Sequence, residues 1–183
     1  MEALAGTSIR RDDGTAAMRL EIELVPKPLW GDSLFRLLTR GQWEKIRTVA
    51  VDRAAGRCEV CGALSARLIG HEQWTYDDEA GTRVLTGVKA VCGPCNSVTH
   101  FGRSRNLAAL GQLDLQDVRD HFMRVNDIDW SSAESAIENA FALQRGRNKR
   151  NWTTDFGPYA AAIATRRAHF PEGRIPVRSR SDR

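Results

Sequence analysis

The four cysteines of this 183-residue chain form two pairs with the spacing of metal ligands. The pairs are Cys58-x-x-Cys61 and Cys92-x-x-Cys95, and every cysteine of the sequence belongs to one of them. Each such turn can present two thiolates to one ion, and four thiolates form a common donor set of structural, tetrahedral zinc sites. We therefore predict one structural Zn²⁺ ion bound by all four cysteines.

The alternatives for these cysteines are two disulfides or four buried free thiols. Disulfides are typical of exported proteins, whereas residues 1–25 contain no apolar segment of the kind found in a signal peptide. No part of the sequence approaches the ~20 consecutive apolar residues of a membrane-spanning helix. The sequence therefore predicts a reducing, cytoplasmic location, zinc rather than disulfides, and no membrane partner.

A second group of side chains, around the second cysteine pair, has the chemistry to act on a phosphodiester. Asn96 and His100 are four residues apart and would share one face of a helix, and His71 lies on a predicted strand that can face that helix. A divalent ion at such a place would bind the scissile phosphate, and a neutral imidazole would activate water. We predict that His71, Asn96 and His100 are catalytic, and that Asn96, His100 and Glu72 are candidate ligands of the catalytic ion.

Each of these residues also has a structural interpretation. A histidine near zinc often only orients other groups, an asparagine often caps a turn, and His100 could cap or pack at the helix end. Adjacent strand residues point to opposite faces, so Glu72 would need a bulge to join His71. His121 and His169 lie on predicted helices away from the motif, and no role is predicted for them.

A hairpin and a short helix must position the candidate residues. Strand patterns over residues 67–76 and 83–91 flank the turn-forming residues 77–81, which predicts a β-hairpin. A short helix is predicted over about 94–101, directly after the second cysteine pair. Zinc would hold this helix against the hairpin.

The flanking segments are predicted to be mostly helical. Alternating apolar and charged residues over 18–25 predict a short, half-buried strand. Helices are predicted over 34–38, 42–55, 106–111, 114–125, 133–144 and 158–169, and the 133–144 helix is expected to begin at a capping box over residues 131–134.

These elements predict an α+β fold with five parts. The parts are a flexible lead-in (1–17), an N-terminal strand with helices (18–57), a zinc-ribbon module (58–103), a helical C-terminal part (104–170) and a basic flexible tail (171–183).

The positive charge of the chain is concentrated toward its C-terminal end. Residues 144–183 contain ten Lys/Arg and three Asp/Glu, whereas the net charge of the whole chain is +4. Such a segment can contact the phosphates of a nucleic acid or remain a solvated tail, and both interpretations stay open.

A series of short motifs runs through residues 28–155 in a specific order. They are Pro28-Leu29-Trp30-Gly31, Cys58-x-x-Cys61-Gly62, His71-Glu72-x-Trp74-x-Tyr76-Asp77, Leu85-x-Gly87, Cys92-x-x-Cys95-Asn96, His100-x-Gly102-Arg103, Val125-Asn126 and Trp152-x-x-Asp155. In these motifs the chain resembles the HNH (ββα-metal) endonucleases, and more closely a bacterial HNH-type subfamily.

The resemblance implies a zinc-ribbon-supported ββα-metal module with flanking helices, and a nuclease that acts on DNA. It places His71 at the general-base position, and Asn96 and His100 where metal-binding residues belong. It also implies a second divalent ion for catalysis, which could be Mg²⁺, Mn²⁺, Ni²⁺ or Zn²⁺.

Two glycines depart from the pattern of that family. Gly70 stands where many members have an acidic ligand before the first histidine, and Gly87 stands where many have an orienting asparagine. These departures favour a degenerate HNH scaffold that binds nucleic acid or a protein without cutting, whereas His71 and His100 favour a nuclease. A third possibility is a regulatory or defence-associated interaction protein, in which the helices from Asn106 onward form the contact surface.

Overall fold

The computed structural model describes residues 18–169, so the predicted lead-in 1–17 and tail 171–183 lie outside the described residues. Within that range the fold is α+β, with seven α-helices and one three-stranded sheet. The elements are α1 (Leu34–Leu37), α2 (Arg40–Arg53), β1 (Ile69–Asp77), β2 (Thr82–Val91), α3 (Gly93–Thr99), α4 (Phe101–Ala109), α5 (Leu115–Asn126), α6 (Trp130–Arg147), β3 (Thr153–Asp155) and α7 (Ala160–Ala168). None of the helices described is long and apolar enough to cross a membrane.

The predicted hairpin is present and forms most of the sheet. β1 and β2 pair antiparallel, with His71 opposite Lys89 and Gln73 opposite Gly87. The next pair is Trp74 with Leu85, so β2 contains one extra residue at this point, a β-bulge. β3 adds to β2 in parallel, which leaves β1 at the edge of the sheet.

Two clusters of buried apolar side chains hold these elements together. One cluster surrounds the cysteine turns and joins α3 to α4, α5 and α6; it includes Leu20, Cys58, Val91, Cys95, Val98, Phe101, Phe122 and Ile137. The other lies between the sheet and α1, α2 and α7; it includes Leu34, Trp43, Ala50, Leu85, Val88, Phe156 and Ile163. The hairpin contributes to both cores, because Leu85 and Val88 of β2 belong to the second cluster and Ala90 and Val91 belong to the first.

The predicted strand over residues 18–25 is wrong. The segment contains no strand residues, although Leu20 and Leu24 are buried as the alternation suggested. Its backbone bonds elsewhere: the Glu23 N–H donates to the Thr99 carbonyl, and the Leu20 N–H donates to Asn126 Oδ1. An apolar alternation predicts which side chains are buried, but not whether a neighbouring strand is there to pair with.

Several helix boundaries also differ from the predictions; α2, for example, covers residues 40–53 rather than 42–55. α6 begins at Trp130 rather than at 133, because Asp129 caps it and accepts a hydrogen bond from the Ser132 N–H. The predicted helices 94–101 and 106–111 are α3 and α4, and these meet at a single residue, His100, whose φ and ψ of −94° and 44° are not helical. This break places His100 at the junction of two helices.

Candidate metal centre and histidine pair

The four cysteines come together as predicted. Their Sγ atoms all lie within 4.8 Å of one another, and all four thiols are free. The Sγ atoms of Cys61 and Cys92 are 3.8 Å apart. Two sulfurs that are each ~2.3 Å from one tetrahedral ion are about 3.8 Å apart. The spacing and the donor atoms fit a structural zinc ion.

Local sequence explains how each turn presents its sulfurs. In the first turn, Gly62 has a φ of +76°, which residues with a Cβ rarely adopt, and its N–H donates to the Cys58 carbonyl. In the second, Cys92 is the N-cap of α3 and Pro94 lies in its first turn. The Cys92 N–H is 3.3 Å from Cys58 Sγ, so a backbone donor links the two turns.

The pKa values of these thiols describe the protonation of the site when no ion is bound. Burial raises the pKa of Cys58, but backbone hydrogen bonds outweigh this and lower it to about 7. Burial raises the pKa of Cys92 to about 11, and burial together with the nearby Cys58 raises the pKa of Cys95 further. Without an ion, the four thiols do not all ionise near neutral pH. A dication would replace their protons, and binding would therefore release protons.

The prediction that His121 lies away from the cysteine motif is wrong, because the structure places it beside this centre. His121 Nε2 is 3.2 Å from Cys95 Sγ, although the two residues are 26 positions apart. The available signal was its position on the apolar face of α5, between the buried residues Val118 and Phe122. Spacing alone could not show that this face packs against α3.

The second site is a contact between two histidine rings. The ring centroids of His71 and His100 are 4.9 Å apart with a tilt of 37°. His71 is 6% exposed, and neither of its ring nitrogens makes a well-formed hydrogen bond among the described residues, although the Glu72 backbone lies close enough to oppose slightly the fall in its pKa. The structure thus brings the strand histidine and the histidine at the end of α3 together.

Both rings lie where the charged form is disfavoured. Burial, followed by the nearby His100 and Lys89, lowers the pKa of His71 to about 3. Burial and the charge of Arg103 lower the pKa of His100. His71 is therefore a neutral imidazole at physiological pH and keeps a lone pair available to a proton or a metal.

The other two candidate residues are placed less closely. Asn96 lies on α3 one turn before His100 and is partly exposed; among the described residues, no hydrogen bond joins its side chain to either histidine. Glu72 extends toward α1, where its Oε1 accepts a hydrogen bond from the Phe35 N–H. Burial raises the pKa of Glu72 to about 7, which weakens it as a ligand.

Within residues 18–169, the four cysteines are the one group of three or more His, Cys, Asp or Glu side chains that could hold an ion. A catalytic ion near His100 and Asn96 would therefore take few ligands from the protein. The rest would have to come from water and from the phosphate of a substrate.

A cavity of about 520 Å³ lies beside His71 and was not predicted. It is bordered by residues 18–24, residues 71–76 of β1 and the end of α6. In its wall, Tyr76 Oη donates to Glu23 Oε1 at 3.2 Å. Burial raises the pKa of Glu23 to about 7, despite the opposing effect of this hydrogen bond.

The two glycines that depart from the family pattern have different surroundings. A Cβ at Gly70 would lie 2.8 Å from Arg47 Cγ and 3.5 Å from the Trp43 ring. A Cβ at Gly87 would meet only the Gln73 amide oxygen, at 3.5 Å. The packing of α2 thus occupies the space that a side chain at position 70 would need, whereas position 87 has room.

Models of protein families, curated proteins and solved structures were all compared with the chain, and none of them matched.

Proposed function

We propose that the protein is an HNH-like, metal-dependent nuclease that acts on DNA phosphodiesters, with His71 as its general base. The observation that carries this proposal is the His71–His100 contact, in which a buried imidazole has no partner for either nitrogen among the described residues. A buried polar group without a partner is uncommon and calls for a functional or structural reason. The sequence resemblance to the HNH endonucleases supplies that reason.

In the proposed reaction, an unpartnered His71 nitrogen takes the proton of the attacking water. Its pKa of about 3 arises mainly from burial. Entry of water and of an anionic phosphate would reverse that effect and make the ring a stronger base. His71 therefore stays neutral in the free protein and gains basicity when the substrate arrives.

His100 and Asn96 are the residues that would hold the catalytic ion. A bound divalent ion would contribute stabilisation of the charge that develops on the scissile phosphate. Arg103, in the first turn of α4, carries a positive charge close to His100 and would contact the flanking phosphate.

A specific observation favours the second candidate function, a scaffold that binds nucleic acid or a protein without cutting. The usual acidic ligand could not be accommodated at Gly70 without moving Arg47. In that case His71 and His100 would be packing residues at the junction of the hairpin and α3.

A nicking assay on supercoiled plasmid separates the two functions. The protein would be tested with Mg²⁺, Mn²⁺, Ni²⁺ or added Zn²⁺, beside His100→Ala and a control, His169→Ala, at the exposed end of α7. The nuclease proposal expects nicking that needs an added ion, is lost in His100→Ala and is kept in the control. Plasmid that migrates more slowly on a gel because protein is bound, but stays intact with every ion, would instead identify a non-cutting binder.

A further inference from the structure

His121 lies between a cysteine of the metal centre and an arginine. Its Nε2 is 3.2 Å from Cys95 Sγ, and its Nδ1 is 3.0 Å from Arg124 Nη2. The His121 side chain is buried, with 8% of the residue exposed. Cys95 lies on α3, and the other two residues lie one turn apart on α5.

The arginine determines which ring nitrogen carries the proton. A guanidinium group only donates hydrogen bonds, so Nδ1 of His121 must accept from Arg124. The proton of the neutral ring then lies on Nε2, where it faces Cys95 Sγ. The chain of donors runs from Arg124 to His121 and from His121 to the sulfur.

Cys95 needs such a donor if it binds zinc as a thiolate. It is 0% exposed, so water does not reach its sulfur. Cys58 receives a backbone donor, the Cys92 N–H, whereas His121 provides Cys95 with a donor from a distant element. A buried thiolate with a hydrogen bond is more stable as an anion than one without.

We propose that His121 is a positioning residue of the four-cysteine metal centre: oriented by Arg124, it donates its Nε2–H to the Cys95 thiolate and thereby couples zinc binding to the docking of α5 on α3. His121 is not itself a ligand, because the group of ligand atoms close enough to share an ion consists of the four cysteines among the residues described. This role does not depend on the nuclease proposal.

Zinc affinity tests this role directly. The full chain and three variants, His121→Ala, His121→Gln and Arg124→Ala, would compete for Zn²⁺ with a chromophoric chelator. Loss of an outer hydrogen bond to a zinc ligand typically weakens binding ~10–100-fold, so we expect at least ~10-fold for His121→Ala. His121→Gln, whose amide can still donate, should recover part of the loss, and Arg124→Ala should lose less than His121→Ala.

A spectroscopic measurement separates positioning from packing. In Co²⁺-substituted protein, removal of the hydrogen bond in His121→Ala should shift the thiolate-to-metal charge-transfer band and leave the d–d bands typical of four sulfur ligands. Unchanged affinity with an unshifted band would overturn the proposal, as would d–d bands showing that a nitrogen ligand was lost. If His121→Ala does not fold, Arg124→Ala at an exposed position gives the same two readouts.

Discussion

The cysteine centre and the histidine pair differ in how complete they are. The four sulfurs lie within 4.8 Å of one another, and Cys58 and Cys95 have hydrogen-bond partners. His71 and His100 lie together, yet the His71 nitrogens have no partner within residues 18–169. The first arrangement fits a closed site for one ion, whereas the second leaves a buried imidazole that a substrate would complete under the proposed function.

This difference suggests that the cysteine centre stabilises the fold and that the histidine pair serves function. The cysteine centre joins the turn over residues 58–61, which precedes β1, to the start of α3, and so holds the segment that carries Asn96 and His100. The histidine pair depends on this connection, because its two rings come from the strand and from the end of the helix. Changes at the first site should therefore affect the whole fold, and changes at the second should affect function.

The largest effect is expected from Cys92→Ser. Structural zinc contributes ~10 kcal/mol or more of apparent folding free energy in small zinc domains, and loss of one thiolate should release the ion and loosen the hairpin and α3. Metal analysis and circular dichroism would measure this. Ser97→Ala on the same helix is the control, and it should keep its zinc. A Cys92→Ser protein that remains zinc-bound and cooperatively folded would show that the centre is not structural.

Features formed by residues close together in the sequence could be predicted, whereas contacts between distant elements could not. The cysteine turns and the hairpin depend on residues close together in the chain, so spacing and turn composition were sufficient. The contact of His121 with Cys95 depends on how α5 docks onto α3, and the 18–25 segment depends on whether a strand lies beside it. Neither is encoded in local periodicity. The placement of His100 at a helix junction also required the tertiary structure.

Substitutions at Gly70 and Gly87 test how much space the protein leaves for a side chain near the histidine pair. Gly70→Asp should destabilise the protein by about 1–3 kcal/mol, because its Cβ would overlap Arg47. Gly87→Asn has room, and its stability should stay within about 0.5 kcal/mol of the original protein. Urea unfolding of both variants measures the difference, and equal destabilisation would contradict the packing described here.

The DNA-cleavage rates of Gly70→Asp and Gly87→Asn provide a second, functional comparison. Gly87 lies opposite Gln73, on the strand face that carries His71. An asparagine there could orient the imidazole, so Gly87→Asn should raise the cleavage rate, by about 10-fold if it acts as other orienting groups do. Gly70→Asp should give no increase. Faster DNA cleavage by the Gly70→Asp protein would show that Arg47 of α2 moves to make room for the new side chain.

The smallest effect concerns the Glu23 carboxyl in the cavity. Its ordinary pKa of 4.5 rises to about 7 in the folded protein, so the folded state holds the proton more tightly. This contribution to stability is complete below about pH 4.5 and is lost as the pH rises to about 7. Glu23→Gln does not ionise, so between pH 6 and pH 8 it should gain about 1 kcal/mol relative to the original protein.

Chemical denaturation of the two proteins at both pH values checks this effect. The comparison is made between proteins at each pH, because the lowered pKa of buried His71 changes stability in the opposite direction. A constant difference in stability between the two proteins at pH 6 and pH 8 would mean that Glu23 is already ionised at pH 6.

One measurement tests most directly whether the cysteine centre and the histidine pair have separate roles. It is the DNA-cleavage rate of His71→Ala protein that carries its full zinc content. A general base contributes ~10²–10⁴-fold, so cleavage with the preferred ion should fall at least ~10²-fold while one zinc ion per chain is retained. Cleavage that survives the substitution would contradict the role of His71, and loss of zinc together with cleavage would contradict the separation of the two sites.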